Sequence, residues 1–434
     1  MFLKLIKKIK KYFSKQYFGF VHGHQYISKN EIKKLEKIVG NKNQEIVTDF
    51  EKRFAEIIGS GECISYASAR MGFYEVMGFI KIKKGDEIII LGATCSVMIN
   101  AIKRKGALPR YSDIDINTIG SDIKTIKNLI NKKTKLIIAQ HSFGIPCDIK
   151  PIVDIAKEKK IFLLEDCALT LGSSYKNQKV GNFGNAAIFS TDHTKPVNSL
   201  IGGLVYSKNK LLINSLRANH DNLSNLSKDK QKALWKEFLY ERKIRNPRNE
   251  GKIFLLNSIN NILKKHFRKI EPFLNEDYTT NLKSSYPYPA QIPAFIAAIG
   301  VIELKRWNIN KNQRVKNLNK LKALFEQFKI EIPKSYKNKD LEIIPLRFVW
   351  ENKNKDFSFK VIDKVLDSSG FWFKVPIVCS TEPLEFLNYE KGMCPLSESL
   401  GKKIINIPCN LNEKDFSKLL NSLEIIFQNK IHNF

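Results

Sequence analysis

From about residue 28 onward, short apolar blocks alternate with amphipathic stretches and turn residues. "NQEIVTDFEKRFAEIIG" has the spacing of a helix, and "CISYASARMGFYEVMGFIKI" reads as a short strand, a turn and a helix. "GDEIIILGATCSVMINAIKRKG" gives a buried strand, a loop and a helix, while "LPRYSDID" and "KLIIAQHS" are further strands. "DIKPIVDIAKEKK" is an amphipathic helix and "IFLLED" a buried strand. Strand and helix in turn, joined by short loops, predict an α/β fold with a mostly parallel sheet and helices on both faces.

The pattern changes at residues 220–285, which are polar, rich in lysine and punctuated by helical stretches such as "KALWKEFLYERKI" and "IFLLNSINNILKKHF". They read as a helical insertion. A long helix is expected from Ile292 to Phe325, followed by a smaller C-terminal α/β domain ending in "EKDFSKLLNSLEIIF". The expected units are an N-terminal extension (1–27), a large domain (28–219), the insertion (220–285), and the long helix with the small domain (286–434). Residues 1–18 form a basic amphipathic pattern. Phe2, Leu5, Ile9 and Phe13 mark one face, and Lys4, Lys7, Lys8, Lys11 and Lys15 fill the other. Such a helix suits either peripheral contact with an anionic lipid surface or packing against its own dimer.

Composition narrows the classes. The 434 residues carry a formal net charge of +30, which suits either a polyanionic partner or general lysine enrichment. Lysines run through the whole chain and no nucleic-acid motif accompanies them, so no nucleic-acid partner is expected. The seven cysteines show no CxxC pair and no metal-ligand spacing. Free thiols in a reducing, cytoplasmic compartment are expected, without a metal site. No apolar run is long enough to span a bilayer, and no cleavable leader is evident.

Ligands of open α/β sheets bind beyond the carboxyl ends of the strands. Asp166 ends "IFLLED", Ser68 ends "CISYAS" before a helix that starts at Ala69 and Arg70, and Ser190 ends the strand that precedes Lys195. Taken singly, Lys195 reads as a surface lysine, Asp166 as a loop or helix-capping carboxylate, and Ser68 as an N-cap. Taken together, a helix N-terminus flanked by serines suits a phosphate, a carboxylate can pair with a protonated ring nitrogen, and a lysine amine can form a Schiff base. Those are the requirements of pyridoxal 5'-phosphate.

Several long stretches resemble the DegT/DnrJ/EryC1/StrS family of sugar aminotransferases. "KKGDEIII", "GALPRYSDID", the run from "TKLIIAQHSFGIPCDIK" through "FLLEDCALTLGSSYKNQKVGNFGNAAIFS", and "CPLSESLGKKIINIPC" follow its motifs in order. The resemblance covers roughly residues 28–430 apart from the insertion. It implies a fold-type I pyridoxal-phosphate transferase that aminates a keto-sugar, nucleotide-linked, with an amino acid such as glutamate as donor, in a homodimer. Lys195 falls on the Schiff-base lysine, Asp166 on the acid facing the pyridine nitrogen, Ser190 on a phosphate-binding serine, and Ala69-Arg70 on a phosphate-holding Gly-Thr. Departures stand at Arg70, at Leu169 in place of Gln or His, at Cys95 in place of a ring-stacking aromatic, at Asn185 for aspartate, at Leu200-Ile201 for Gly-Glu, and at Pro196 after the lysine. Leu169, Cys95 and Ile201 leave open a catalytically degenerate member that binds a nucleotide sugar or a partner without turnover. A sugar dehydratase on the same scaffold typically has histidine in place of the lysine, which counts against that reading.

Overall fold

The computed structural model describes residues 6, 9, 13, 16–256, 259, 270–279, 282–352, 354–373 and 376–430. Its centre is a seven-stranded sheet built from β1 (Glu62–Tyr66), β2 (Glu87–Leu91), β3 (Leu108–Ser112), β4 (Thr134–Gln140), β5 (Phe162–Asp166), β6 (Ala186–Ser190) and β7 (Gly203–Ser207). The order across the sheet is β1-β7-β6-β5-β4-β2-β3. Neighbours are parallel except at β7, which runs antiparallel to both β1 and β6.

The continuous apolar runs are explained by burial on both faces. Every residue of β2 is buried, and its isoleucines contribute on the order of 1.5–3 kcal/mol each by leaving water. Helices α1 (Lys29–Ile38), α2 (Gln44–Ile58), α3 (Ala69–Phe79), α4 (Ser96–Arg104), α5 (Ile123–Leu129), α6 (Ile149–Glu158) and α7 (Lys210–His220) cover the sheet. Their starts follow local chemistry. Ser28 and Glu31 form a capping box on α1, and the Asn43 side chain accepts from Ile46 N–H at the start of α2.

Within the lysine-rich segment, α8 (Lys228–Ile244) buries Leu234, Trp235 and Phe238 against the large core. The single helix expected from Ile292 to Phe325 is two helices, α9 (Ala294–Lys305) and α10 (Trp307–Gln327). They part at Arg306, which has φ −98° and ψ 1°. There the Arg306 guanidinium lies 4.0 Å from the centre of the Tyr26 ring, and Trp307 is buried beside Gly172. Side-chain packing on either side of the joint outweighs helical continuity, which periodicity alone could not reveal.

The C-terminal region pairs β8 (Arg347–Glu351) with β9 (Ile404–Pro408) in antiparallel register. Around this ribbon lie α11 (Lys355–Ile362), α12 (Pro395–Gly401) and α13 (Glu413–Lys430). An aromatic cluster joins α10 to the ribbon, with Phe325 centred 4.8 Å from Phe348 and 4.9 Å from Trp350.

Residues 17–27 are part of this architecture and not a free extension. Tyr17 N–H bonds Pro247 C=O, Phe18 exchanges backbone hydrogen bonds with Val365 and Asp367, and both aromatic rings are buried. Of the amphipathic pattern at residues 1–18, only Ile6, Ile9, Phe13 and Gln16–Phe18 fall within the described residues, and Phe13 is exposed. No helix among the described residues is long and apolar enough to cross a membrane.

Candidate active site

The parallel strands β1, β2, β4, β5 and β6 all deliver their carboxyl ends to one edge of the sheet, and the antiparallel β7 starts there. A cavity of about 680 Å³ opens at that edge. Ser68, Ala69, Arg70, Cys95, Asp166, Leu169, Ser190 and Lys195 all line it. Chain direction alone brings these residues together from positions spread over more than a hundred residues of sequence.

Register places Asp166 at the end of a central strand, between Gln140 on β4 and Ile188 on β6. Its Oδ1 accepts from Ala168 N–H at 2.9 Å. Burial pushes the carboxyl above its ordinary range, while the Ala168 N–H and the charges of Lys195 and His141 pull the other way. Lys195 sits in the turn between β6 and β7. That turn is tied by Lys195 N–H to Asp192 C=O at 2.9 Å, by Ser199 Oγ donating to Thr191 Oγ1 at 2.7 Å, and by Thr194 bonding the Asp192 carboxylate.

At the other wall, α3 points its N-terminus into the cavity. Ser68 occupies the N-cap but makes no capping bond, and its hydroxyl is buried without a hydrogen-bond partner. The N–H groups of Ala69 and Arg70 belong to the first helical turn and have no partner within the helix. Strand β7 presses close here. A Cβ on Gly203 would come within 2.2 Å of Ala69 N, and Gly202 has φ +122°. The Gly-Gly pair thus permits a tight cradle of helix N-terminus, serine and glycine backbone. Amides of a helix N-terminus, an orphaned buried hydroxyl and a strand-end carboxylate fit the phosphate and the ring nitrogen of pyridoxal 5'-phosphate.

Arg70 does not offer its charge to this cradle. Its Nε lies 2.6 Å from Asp277 Oδ2, and its Nη2 donates to Leu274 C=O at 2.7 Å. Burial opposes its charge, but Asp277, joined by Tyr278, Tyr286 and Tyr288, more than offsets burial and keeps the guanidinium protonated. Leu169 and Cys95 present a buried aliphatic chain and a thiol where the resemblance implies an amide or imidazole and an aromatic ring. Asn185 keeps a structural acceptor, since its Oδ1 takes Leu163 N–H at 2.8 Å.

Sequence reading missed several wall residues. Tyr278 arrives from the lysine-rich segment, while Arg347 and Trp372 arrive from the C-terminal region. Their positions depend on long-range packing, and no local motif marks them. His141, Glu165 and Cys167 lie within metal-ligating reach of one another. Glu165, however, already accepts from the N–H groups of Gly181, Phe183 and Gly184 and contacts His141 Nε2, and His141 Nδ1 accepts from Cys147 N–H. Those bonds brace the loop after β5.

The sheet order, the crossover to an antiparallel β7 and the lysine-bearing turn define the architecture of fold-type I pyridoxal-phosphate transferases. Residues 25–424 match the DegT/DnrJ/EryC1/StrS aminotransferase family, and the chain belongs to it. It is 33% identical over 164 residues to the GDP-perosamine synthase of Vibrio cholerae, covering 38% of this chain and 45% of that one. It is 37% identical over 144 residues to the dTDP-3-amino-3,6-dideoxy-alpha-D-galactopyranose transaminase of Aneurinibacillus thermoaerophilus, covering 33% and 40%. These matches span less than half the length of either relative. In fold it is similar to Helicobacter pylori PseC, an aminotransferase of pseudoaminic acid biosynthesis, with TM-score 0.69, 18% identity, and coverage of 95% of this chain and 100% of that one.

Proposed function

We propose that the chain is a pyridoxal-phosphate-dependent aminotransferase that converts a nucleotide-linked keto-sugar to an amino sugar for surface polysaccharide or a related glycan, with glutamate as donor. The observation that carries this is the meeting of Lys195, Asp166 and the orphaned Ser68 hydroxyl at the α3 N-terminus on one cavity, in a member of an aminotransferase family. The names of the relatives, a GDP-sugar synthase and a dTDP-sugar transaminase, support the substrate class.

The cofactor, when bound, supplies an electron sink for the bonds remade at the substrate carbon. Ser68, Ser190 and the Ala69 and Arg70 amides would hold its phosphate. Lys195 would anchor it covalently and then carry a proton as general base. Asp166, buried at the strand end, would keep the ring nitrogen protonated. The apolar side chains of Leu169 and Ile201 exclude water from the inner wall.

The test is direct. Purified protein supplied with cofactor should gain visible absorption, borohydride should fix cofactor mass on the peptide holding Lys195, and glutamate should yield 2-oxoglutarate only when a nucleotide-linked keto-sugar is present. Protein that never takes up cofactor would instead be the degenerate member that Leu169 and Cys95 allow. Asp166→Asn should still be labelled by borohydride while turnover falls by on the order of 10²-fold or more, because a neutral amide cannot balance a protonated ring. Near-normal turnover in that variant would remove Asp166 from the proposed mechanism.

Family sites that lie at subunit boundaries support a homodimer. The lysine-rich N-terminal pattern supports work in the cytoplasm at the inner face of a membrane. Full-length protein should co-sediment with anionic liposomes and release in high salt. Deletion of residues 1–15 should end the binding and spare activity, and the cut must stop before Tyr17 and Phe18, which are core residues. Full-length protein that stays in the supernatant would end the membrane reading.

A further inference from the structure

The turn that carries Lys195 also carries His193, and both line the main cavity with Asp166. His193 Nδ1 lies 2.6 Å from Glu241 Oε1, while Nε2 makes no hydrogen bond among the described residues; its nearest acid, Asp192 Oδ1, is 3.8 Å away. Glu241 comes from α8, in the lysine-rich segment, and its side chain is 1% exposed. Its second oxygen is buried without a partner. A carboxylate so placed is costly unless it is paired, and among the described residues the imidazole is its hydrogen-bonding partner. The Phe273 ring, centred 4.7 Å away, packs against the imidazole and fixes its plane.

Exchange of a carbonyl oxygen for an amine expels that oxygen as water. Hydroxide leaves poorly, so the step needs a proton donor beside the substrate carbon. We propose that His193 is this general acid, held by Glu241 as a positioning residue, and that its Nε2 proton goes to the departing oxygen. The inference rests on the aminotransferase reading above. In the step, the carbon–nitrogen bond is completed as the carbon–oxygen bond breaks. One hydrogen of the water comes from the incoming amine nitrogen and the other from His193, which is recharged from solvent. The segment 220–285 thereby gains a role, since it brings the carboxylate that orients and charges the imidazole.

The local charges favour the acid form. Burial works against the imidazolium, but Glu241 and then Asp192 outweigh it, with Arg245 opposing, and the ring is raised to about 8. A raised value means that the proton is held below about 8 and lost above it, so an acid role predicts a rate that falls as pH climbs through 8.

Selective labelling of histidine rings allows the titration to be followed by NMR in the full-length protein with and without cofactor, with His193→Asn supplying the assignment. The expected midpoint for His193 is near 8, moving down by at least about one pH unit in Glu241→Gln. In steady-state assays, His193→Asn should lower kcat by about 10²-fold at pH 7 with little change in KM and should lose the alkaline limb. Borohydride capture at Lys195 should be unchanged. Because His193→Asn strands a buried carboxylate, the double variant His193→Asn/Glu241→Gln provides the same kinetic reading in a neutral pair. A ring that titrates at or below 6.5, or wild-type turnover with an intact alkaline limb in either variant, overturns the inference while the aminotransferase reading stands. Wild-type protein that transfers no amine at any pH overturns both, and the NMR midpoint then reports the ion pair alone.

Discussion

Lys195→Ala is expected to lose all covalent capture of cofactor and at least ~10⁴-fold of turnover, since the proposed mechanism makes this lysine both anchor and general base. The fold should survive. The turn around Lys195 is held by the backbone bond from residue 195 to Asp192, by the Ser199–Thr191 hydroxyl pair and by Thr194 on Asp192, and none of these uses the lysine side chain. Thermal unfolding and circular dichroism should therefore match wild type. Lys195→Arg should fail as completely, because guanidinium stays protonated and offers no free amine. The charge of Lys195 also lowers the proton affinity of both Asp166 and Asp192. Removing it should raise both, so each carboxylate would take up its proton at a higher pH in the alanine variant than in wild type. An alanine variant with measurable amine transfer, or one that borohydride still labels in the same peptide, would remove Lys195 from the chemistry.

The parts of this site that sequence reveals are those fixed by strand direction. Asp166, Ser190 and Ser68 each close an apolar run that has to be a buried strand, and parallel strands bring their ends to one edge whatever the loops do. The polar wall across from them is of another kind. Arg70 reaches Asp277 across 207 positions, and His193 reaches Glu241 across 48. Both acids lie in a segment whose lysine-rich, weakly amphipathic text reads as an insertion, because pairing with a distant cation leaves no periodic mark. The break at Arg306 and the burial of Tyr17 and Phe18 were hidden for the same reason. Each depends on which ring or groove the finished fold presents, and helical spacing continues through both.

Asp277→Ala should be among the most destabilising single substitutions in the chain, and its effect should be felt at the cavity. The carboxylate is fully buried, 2.6 Å from Arg70 Nε and 3.5 Å from Arg104 Nη2, whose side chains are 12% and 9% exposed. Ser284 Oγ donates to the same oxygen as Arg104 approaches, and Arg104 lies over the Tyr288 ring at 4.1 Å. Truncation leaves two guanidinium groups in a poorly solvated place, a loss of about 3–5 kcal/mol. The Arg70–Asp277 contact also holds residues 273–278 against α3, and that segment gives Phe273, Leu274 and Tyr278 to the cavity wall. Amide hydrogen exchange in 270–279 should accelerate in Asp277→Ala, and cofactor affinity should fall with it. Arg70→Thr restores the residue that the family resemblance implies at this position and removes one of the two guanidinium charges that Asp277 faces. In that background, Asp277→Ala should cost less by about 1–3 kcal/mol in a double-mutant cycle read from urea unfolding. Additive losses would mean that Arg70 and Asp277 act independently. Unchanged exchange in 270–279 would mean that the segment is held over the cavity by its aromatic contacts alone.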